Sequence, residues 1–128
     1  MIRSGDMAGL ILVVDDDRDI RDSLVELLTE HGFPAIGAGN GVEALEILRT
    51  SASPPSLILL DLMMPVMDGR EFRERQLENP ALAAIPVIVI SAYNDVEQQA
   101  RALALDHLRK PLGMRPLMDA VRRHCAGA

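Results

Sequence analysis

A chain of 128 residues is long enough to bury one hydrophobic core and too short for two, so a single domain with a single site is expected. Hydrophobic residues make up 48% and charged residues 25%, an ordinary globular balance, but aromatics are only 2%, which leaves the core to Leu, Ile, Val, Met and Ala. The net charge of −6 argues against direct binding of nucleic acid by phosphate neutralisation, and no apolar run is long enough to cross a membrane.

The apolar runs are short, bounded by turn residues, and separated by segments with helical spacing, the pattern of an α/β fold with a parallel sheet. After a start, residues 1–8, that reads as a flexible N-terminal tail, "LILVV" (10–14) reads as a fully buried strand. A helix follows from about Asp19 to His31, with Ile20, Leu24, Leu27 and Leu28 on its apolar face and Gly32 as its stop. "FPAIGA" reads as an edge strand, because Pro34 lacks the donor that a central strand needs. Asn40 caps a second helix whose buried side carries Val42, Leu45 and Leu48. "SASPPS" is a loop before the strand "LILLD" (57–61). A helix from about Arg70 to Glu78, the strand "PVIVIS", a helix from about Asp95 to Leu105, a short strand at "HLRK" and a last helix from about Arg115 to His124 complete five strands and five helices. The domain is expected to span 9–126. Cys125 has no partner for an internal disulfide, and "MIRSGDMAG" has no signal-peptide core, so a soluble, cytoplasmic protein is expected.

In an open parallel sheet, ligands bind beyond the carboxyl ends of the strands. The residues at those ends are Asp15-Asp16-Asp17, Asp61, Ser91 and Lys110-Pro111. Two carboxylates roughly 5 Å apart repel by about 3 kcal/mol at an effective dielectric near 20. A proton or a cation must relieve this, and oxygen-only ligands suit a hard ion such as Mg²⁺ together with a phosphate. Met63, Met64 and Met67 could suggest a soft-metal site, but no Cys or His is spaced to help them. Asp17, Asp19 and Asp68 are read as helix caps or turn residues. His31 and His124 lie near helix C-termini and read as surface residues.

The motifs "LILVVDDD", "LILLDLMMPVMDG", "VIVISA" and "LRKP", in this order from Leu10 to Cys125, resemble the receiver domain of bacterial two-component response regulators. The resemblance implies a flavodoxin-like, doubly wound sheet of order 2-1-3-4-5. It implies that Asp61 accepts a phosphoryl group from a phosphohistidine of a histidine kinase or histidine phosphotransfer protein. Asp15, Asp16, Asp61 and the backbone carbonyl of Met63 would hold Mg²⁺. Lys110 would pair with Asp61 and later with a phosphoryl oxygen, Ser91 would bond another, and the Lys110-Pro111 peptide would be cis. Beyond its own phosphoryl transfer and autodephosphorylation, such a domain is not an enzyme.

Two departures from the family pattern stand out. The segment between Ser91 and Lys110 is about three residues short, with no glycine to end its helix, so a shortened or remodelled fourth helix is expected. His107 stands where receivers usually carry the switch Tyr or Phe, and would take its part beside Ser91.

The leading expectation is a stand-alone module whose phosphorylation switches a surface toward an effector that the sequence does not name. A phosphorelay intermediate or phosphate sink would use the same residues. An Mg²⁺-dependent phosphatase is a different class, but it generally needs a second acid two residues after the nucleophile, where Met63 stands. A flavodoxin-like cofactor carrier would find "DDDRD" repelling its phosphate. A scaffold that no longer uses phosphorylation is kept open by the shortened segment.

Overall fold

The computed structural model describes residues 9–64, 66–91, 98, 101, 105–110 and 112–124. Chain order is β1 (Ile11–Val14), α1 (Arg18–Glu30), β2 (Ala35–Ala38), α2 (Gly41–Thr50), β3 (Leu57–Asp61), α3 (Gly69–Glu78), the single turn α4 (Pro80–Ala83), β4 (Val87–Ser91), β5 (Asp106–Arg109) and α5 (Met114–His124). The strands form one parallel sheet in the order β2-β1-β3-β4-β5, as the resemblance implies. β2 is an edge strand, as expected, though Pro34 lies just before it rather than within it.

Alternation along the strands builds two cores from one sheet. Ile11 and Val13 of β1, with Leu57 and Leu59 of β3, pack under Leu24 and Leu28 of α1 and Leu117 and Val121 of α5. Leu12, Val14, Ile58 and Leu60 face the other way, onto Leu45 and Leu48 of α2 and Phe72 of α3. Both faces of β1, β3 and β4 are buried, which is why these strands read as unbroken apolar runs.

The helix ends follow local chemistry. Asp17 accepts from the amides of Asp19 and Ile20, Asn40 from Glu43, and Asp68 from Glu71, each satisfying donors that a helix leaves open at its start. Gly32, at φ +86°, ends the first helix unit in the left-handed region.

Three readings change. Val42 is 49% exposed, because the buried stripe of α2 runs through Gly41, Ala44, Leu45 and Leu48 and leaves Val42 one step round the helix. The α4 turn was not expected from the sequence. His124 is half-buried, with Nε2 3.3 Å from Asp106 Oδ2 at the foot of β5. The helix expected over 95–105, and so its shortening, lies outside the described residues except for Gln98 and Arg101, both helical, and Leu105, which is not in a helix. The 1–8 tail, the peptide to Pro111 and Cys125 lie outside them as well.

Candidate functional site

The parallel topology delivers five polar side chains to the carboxyl end of the sheet. Asp15 follows β1, and its backbone amide is fixed by Ala38 O of β2 at 3.1 Å. Its carboxylate is fully buried, with Oδ1 accepting from the Asp17 amide at 2.9 Å. Asp61 is the last residue of β3 and is 4% exposed, with Oδ1 accepting from the Met63 amide at 3.2 Å. Asp16 is exposed at the rim.

Lys110 stands just past β5, where its amide donates to Ser91 O at the end of β4, 2.9 Å away. Its Nζ lies 2.9 Å from Asp15 Oδ2 and 3.4 Å from Asp61 Oδ2, so it bridges both buried acids and sits closer to Asp15. Ser91 is buried in the adjacent strand end. His107 lies on the exposed outer strand, opposite Val89 and away from this cluster in sequence register.

The loop after Asp61 is held tightly. A Cβ on Gly69 would stand 2.8 Å from Asp61 O and from Leu62 Cα, and the Gly69 amide donates to Leu62 O at 3.0 Å. Only glycine lets α3 begin against the strand end. The Asp68-Gly69 pair therefore does two jobs, capping α3 and seating it against the backbone of the site.

Electrostatics follow from burial. Burial pushes the Asp61 carboxyl up to about 7, with the Asp15 charge adding to the rise and Lys110 and the Met63 amide opposing it. Burial alone would lower the Lys110 ammonium, but its hydrogen bond to Asp15 and the charges of Asp61 and Asp15 outweigh that and hold it above its ordinary value. One lysine thus faces two buried acids, and the cluster carries excess negative charge whenever both are ionised. One oxygen from each of Asp15, Asp16 and Asp61 lies within 4.8 Å of the others. This is a hard, all-oxygen donor set with an open rim, and it fits a divalent cation such as Mg²⁺ better than any soft metal.

The model of the response regulator receiver domain matches residues 11–122, a span that contains every strand and helix around this cluster up to the last turn of α5. The chain belongs to the response-regulator receiver family. It is similar to the response regulator MprA of Mycobacterium ulcerans, 38% identical over 119 residues, which cover 91% of this chain and 50% of that protein. It is also similar to the sporulation initiation phosphotransferase F of Bacillus subtilis, 37% identical over 120 residues, covering 89% of this chain and 91% of that one. The crystal structure of a response regulator receiver protein from Pseudomonas putida superposes with a TM-score of 0.82 at 30% identity, over 91% of this chain and 97% of that one. The chain therefore spans half the length of one kind of relative and about nine tenths of another. Among the described residues no helix is long and apolar enough to cross a membrane.

Two features of the receiver site escaped the sequence reading. Lys110 was assigned to Asp61 alone, since nothing in the sequence distinguishes two acids at neighbouring strand ends. Arg21 was not singled out, yet its Nη1 donates to Asp15 O at 3.0 Å. The glycines opposite it, Gly37 in β2 and Gly39 just after it, were the available signal.

Proposed function

We propose that Asp61 is the phosphoacceptor of a two-component signalling module, with residues 9–126 as its receiver domain, acting in the cytoplasm. The observation that carries this reading is the convergence of a nearly buried Asp61 with Asp15 and the shared Lys110 ammonium. In the transfer, a carboxylate oxygen of Asp61 attacks the phosphorus of a partner's phosphohistidine. The new P–O bond forms as the P–N bond breaks, and the imidazole leaves with the electron pair and takes up a proton.

Asp15, Asp16, Asp61 and the Met63 carbonyl would hold Mg²⁺, which when bound would neutralise phosphoryl oxygens and keep Asp61 ionised. Lys110 moves from its carboxylate partners to a phosphoryl oxygen, and the Ser91 hydroxyl donates to another. The partner is a histidine kinase or histidine phosphotransfer protein. Ser91 and His107, on adjacent strands, form the switch pair that reports phosphorylation to an effector surface. Apart from its own phosphorylation and dephosphorylation the domain turns over no substrate.

A second role, as a phosphorelay intermediate that hands its phosphoryl group on, is supported by the likeness to nearly the whole of a protein named as a phosphotransferase. Incubation with acetyl phosphate, followed by intact mass, tests the chemistry. A phosphoryl-sized gain that requires Mg²⁺ and is lost in Asp61→Asn supports it. No gain in the wild type, under conditions that label an ordinary receiver, would leave a scaffold regulated by binding alone, and release of phosphate from small esters would favour a phosphatase.

A further inference from the structure

Arg21 projects from the first turns of α1 back across the edge of the sheet. Its Nη1 donates to the backbone carbonyl of Asp15 at 3.0 Å. Its side chain lies directly over β2: a Cβ on Gly37 would stand 2.8 Å from Arg21 Cδ and 2.9 Å from Cγ. A Cβ on Gly39 would stand 3.3 Å from Arg21 Nη1 and equally close to Glu43 Oε2, so the guanidinium and the α2 carboxylate flank the same backbone position. Glu43 in turn accepts from the Gly39 amide at 3.0 Å. The outer carboxylate near Arg21 Nε, Asp22, is 4.0 Å away and largely exposed, too weak a partner to explain the pose.

We propose that Arg21 is a positioning residue for the acidic loop, and that Gly37 and Gly39 are the track that lets it reach. The carbonyl it holds belongs to the residue whose carboxylate is fully buried against Lys110. Fixing that carbonyl fixes the peptide plane between Asp15 and Asp16, and so the direction in which the exposed Asp16 carboxylate faces its two buried partners. Outer contacts of this kind decide how well a preformed set of oxygens matches a cation. The inference rests on the proposed Mg²⁺ site.

Its sign can be separated from simple electrostatics. Arg21→Met removes a positive charge that touches the backbone of the acidic loop, which on charge alone would tighten cation binding. A weakening can come only from lost positioning. Gly37→Ala reaches the same end by another route, since it keeps the charge and displaces the side chain.

The experiment is calorimetric titration of the full chain with MgCl₂ for wild type, Arg21→Met, Arg21→Lys and Gly37→Ala. The Asp17 amide resonance, which reports the hydrogen bond to Asp15 Oδ1, is followed in metal-free protein, and folding is checked by circular dichroism. Both Arg21→Met and Gly37→Ala are expected to weaken Mg²⁺ binding by about tenfold, with the Asp17 amide shifted before any metal is added, and Arg21→Lys to recover part of the loss. Folded variants that bind Mg²⁺ as well as or better than wild type would overturn the positioning role and leave the site reading intact. No Mg²⁺ binding by wild type would overturn both.

Discussion

Val66 has φ +69°, the sole non-glycine among the described residues in the left-handed region. A β-branched side chain is poorly suited to it, because Cβ and its branches crowd the neighbouring carbonyl at a cost of roughly 1–2 kcal/mol. Val66 is also 80% exposed, so it recovers almost nothing by burial. The strain sits five residues after Asp61, in the loop that carries Met63 and runs to the Gly69 seat. Val66→Asn and Val66→Gly should therefore raise stability by about 1 kcal/mol, the glycine somewhat less because it frees the unfolded chain. Thermal melts would show this as a rise of a few degrees, with Val66→Ala giving a smaller gain. If neither Asn nor Gly raises Tm, the left-handed conformation is not a source of strain in solution.

The join between α3, α4 and β4 depends on one buried amide. Gln76 is fully buried, its Nε2 donates to Leu82 O at 2.9 Å and Ile85 O at 3.1 Å, and its Oε1 accepts from Arg73 Nη1 at 2.8 Å. Gln76→Ala takes the side-chain amide from two buried carbonyls, of which Leu82 O keeps the Ile85 amide at 3.1 Å, and opens a cavity, for a loss of about 3 kcal/mol. Urea unfolding should show a lower midpoint at unchanged slope, and a loss below about 1 kcal/mol would mean that water replaces the amide without cost. This join also marks the limit of what the sequence discloses. The parallel order, the buried strands and the acids at their ends were legible because period, turn chemistry and motif order agree there. Asn79-Pro80 carried a cap and a first-turn proline for α4, but a four-residue turn offers no periodicity to confirm it. Gln76 looks like any polar helix residue, because only the tertiary approach of α4 gives its amide two acceptors. The strain at Val66 was invisible for a related reason, since a β-branched residue argues against the conformation that it adopts.

For the whole molecule, the stacked carboxylates tie stability to pH. Asp61 titrates near 7 in the folded protein against 3.8 ordinarily, so across that window the fold keeps a proton that the unfolded chain releases. The unfolded state binds fewer protons there, and stability must fall as pH rises from about 4 to about 7. Between pH 5 and 7 this linkage is on the order of 3 kcal/mol, or roughly 10 °C in Tm. Asp61→Asn carries no such proton, and Lys110 still has Asp15 at 2.9 Å, so in metal-free buffer the variant should melt above wild type by a margin that widens from pH 5 to pH 8. Mg²⁺ acts on the same charge from the other side. Binding needs the ionised carboxylate, so Mg²⁺ at about 100 times its Kd should stabilise wild type by about 2.7 kcal/mol at pH 8, by less at pH 6, and Asp61→Asn by less at either. The added cation would thus narrow the gap that alkaline pH opens. Melting curves over this grid separate the two contributions: a wild-type-to-variant margin that stays flat from pH 5 to 8 would show that Asp61 ionises like a surface acid and that the site is not charge-frustrated.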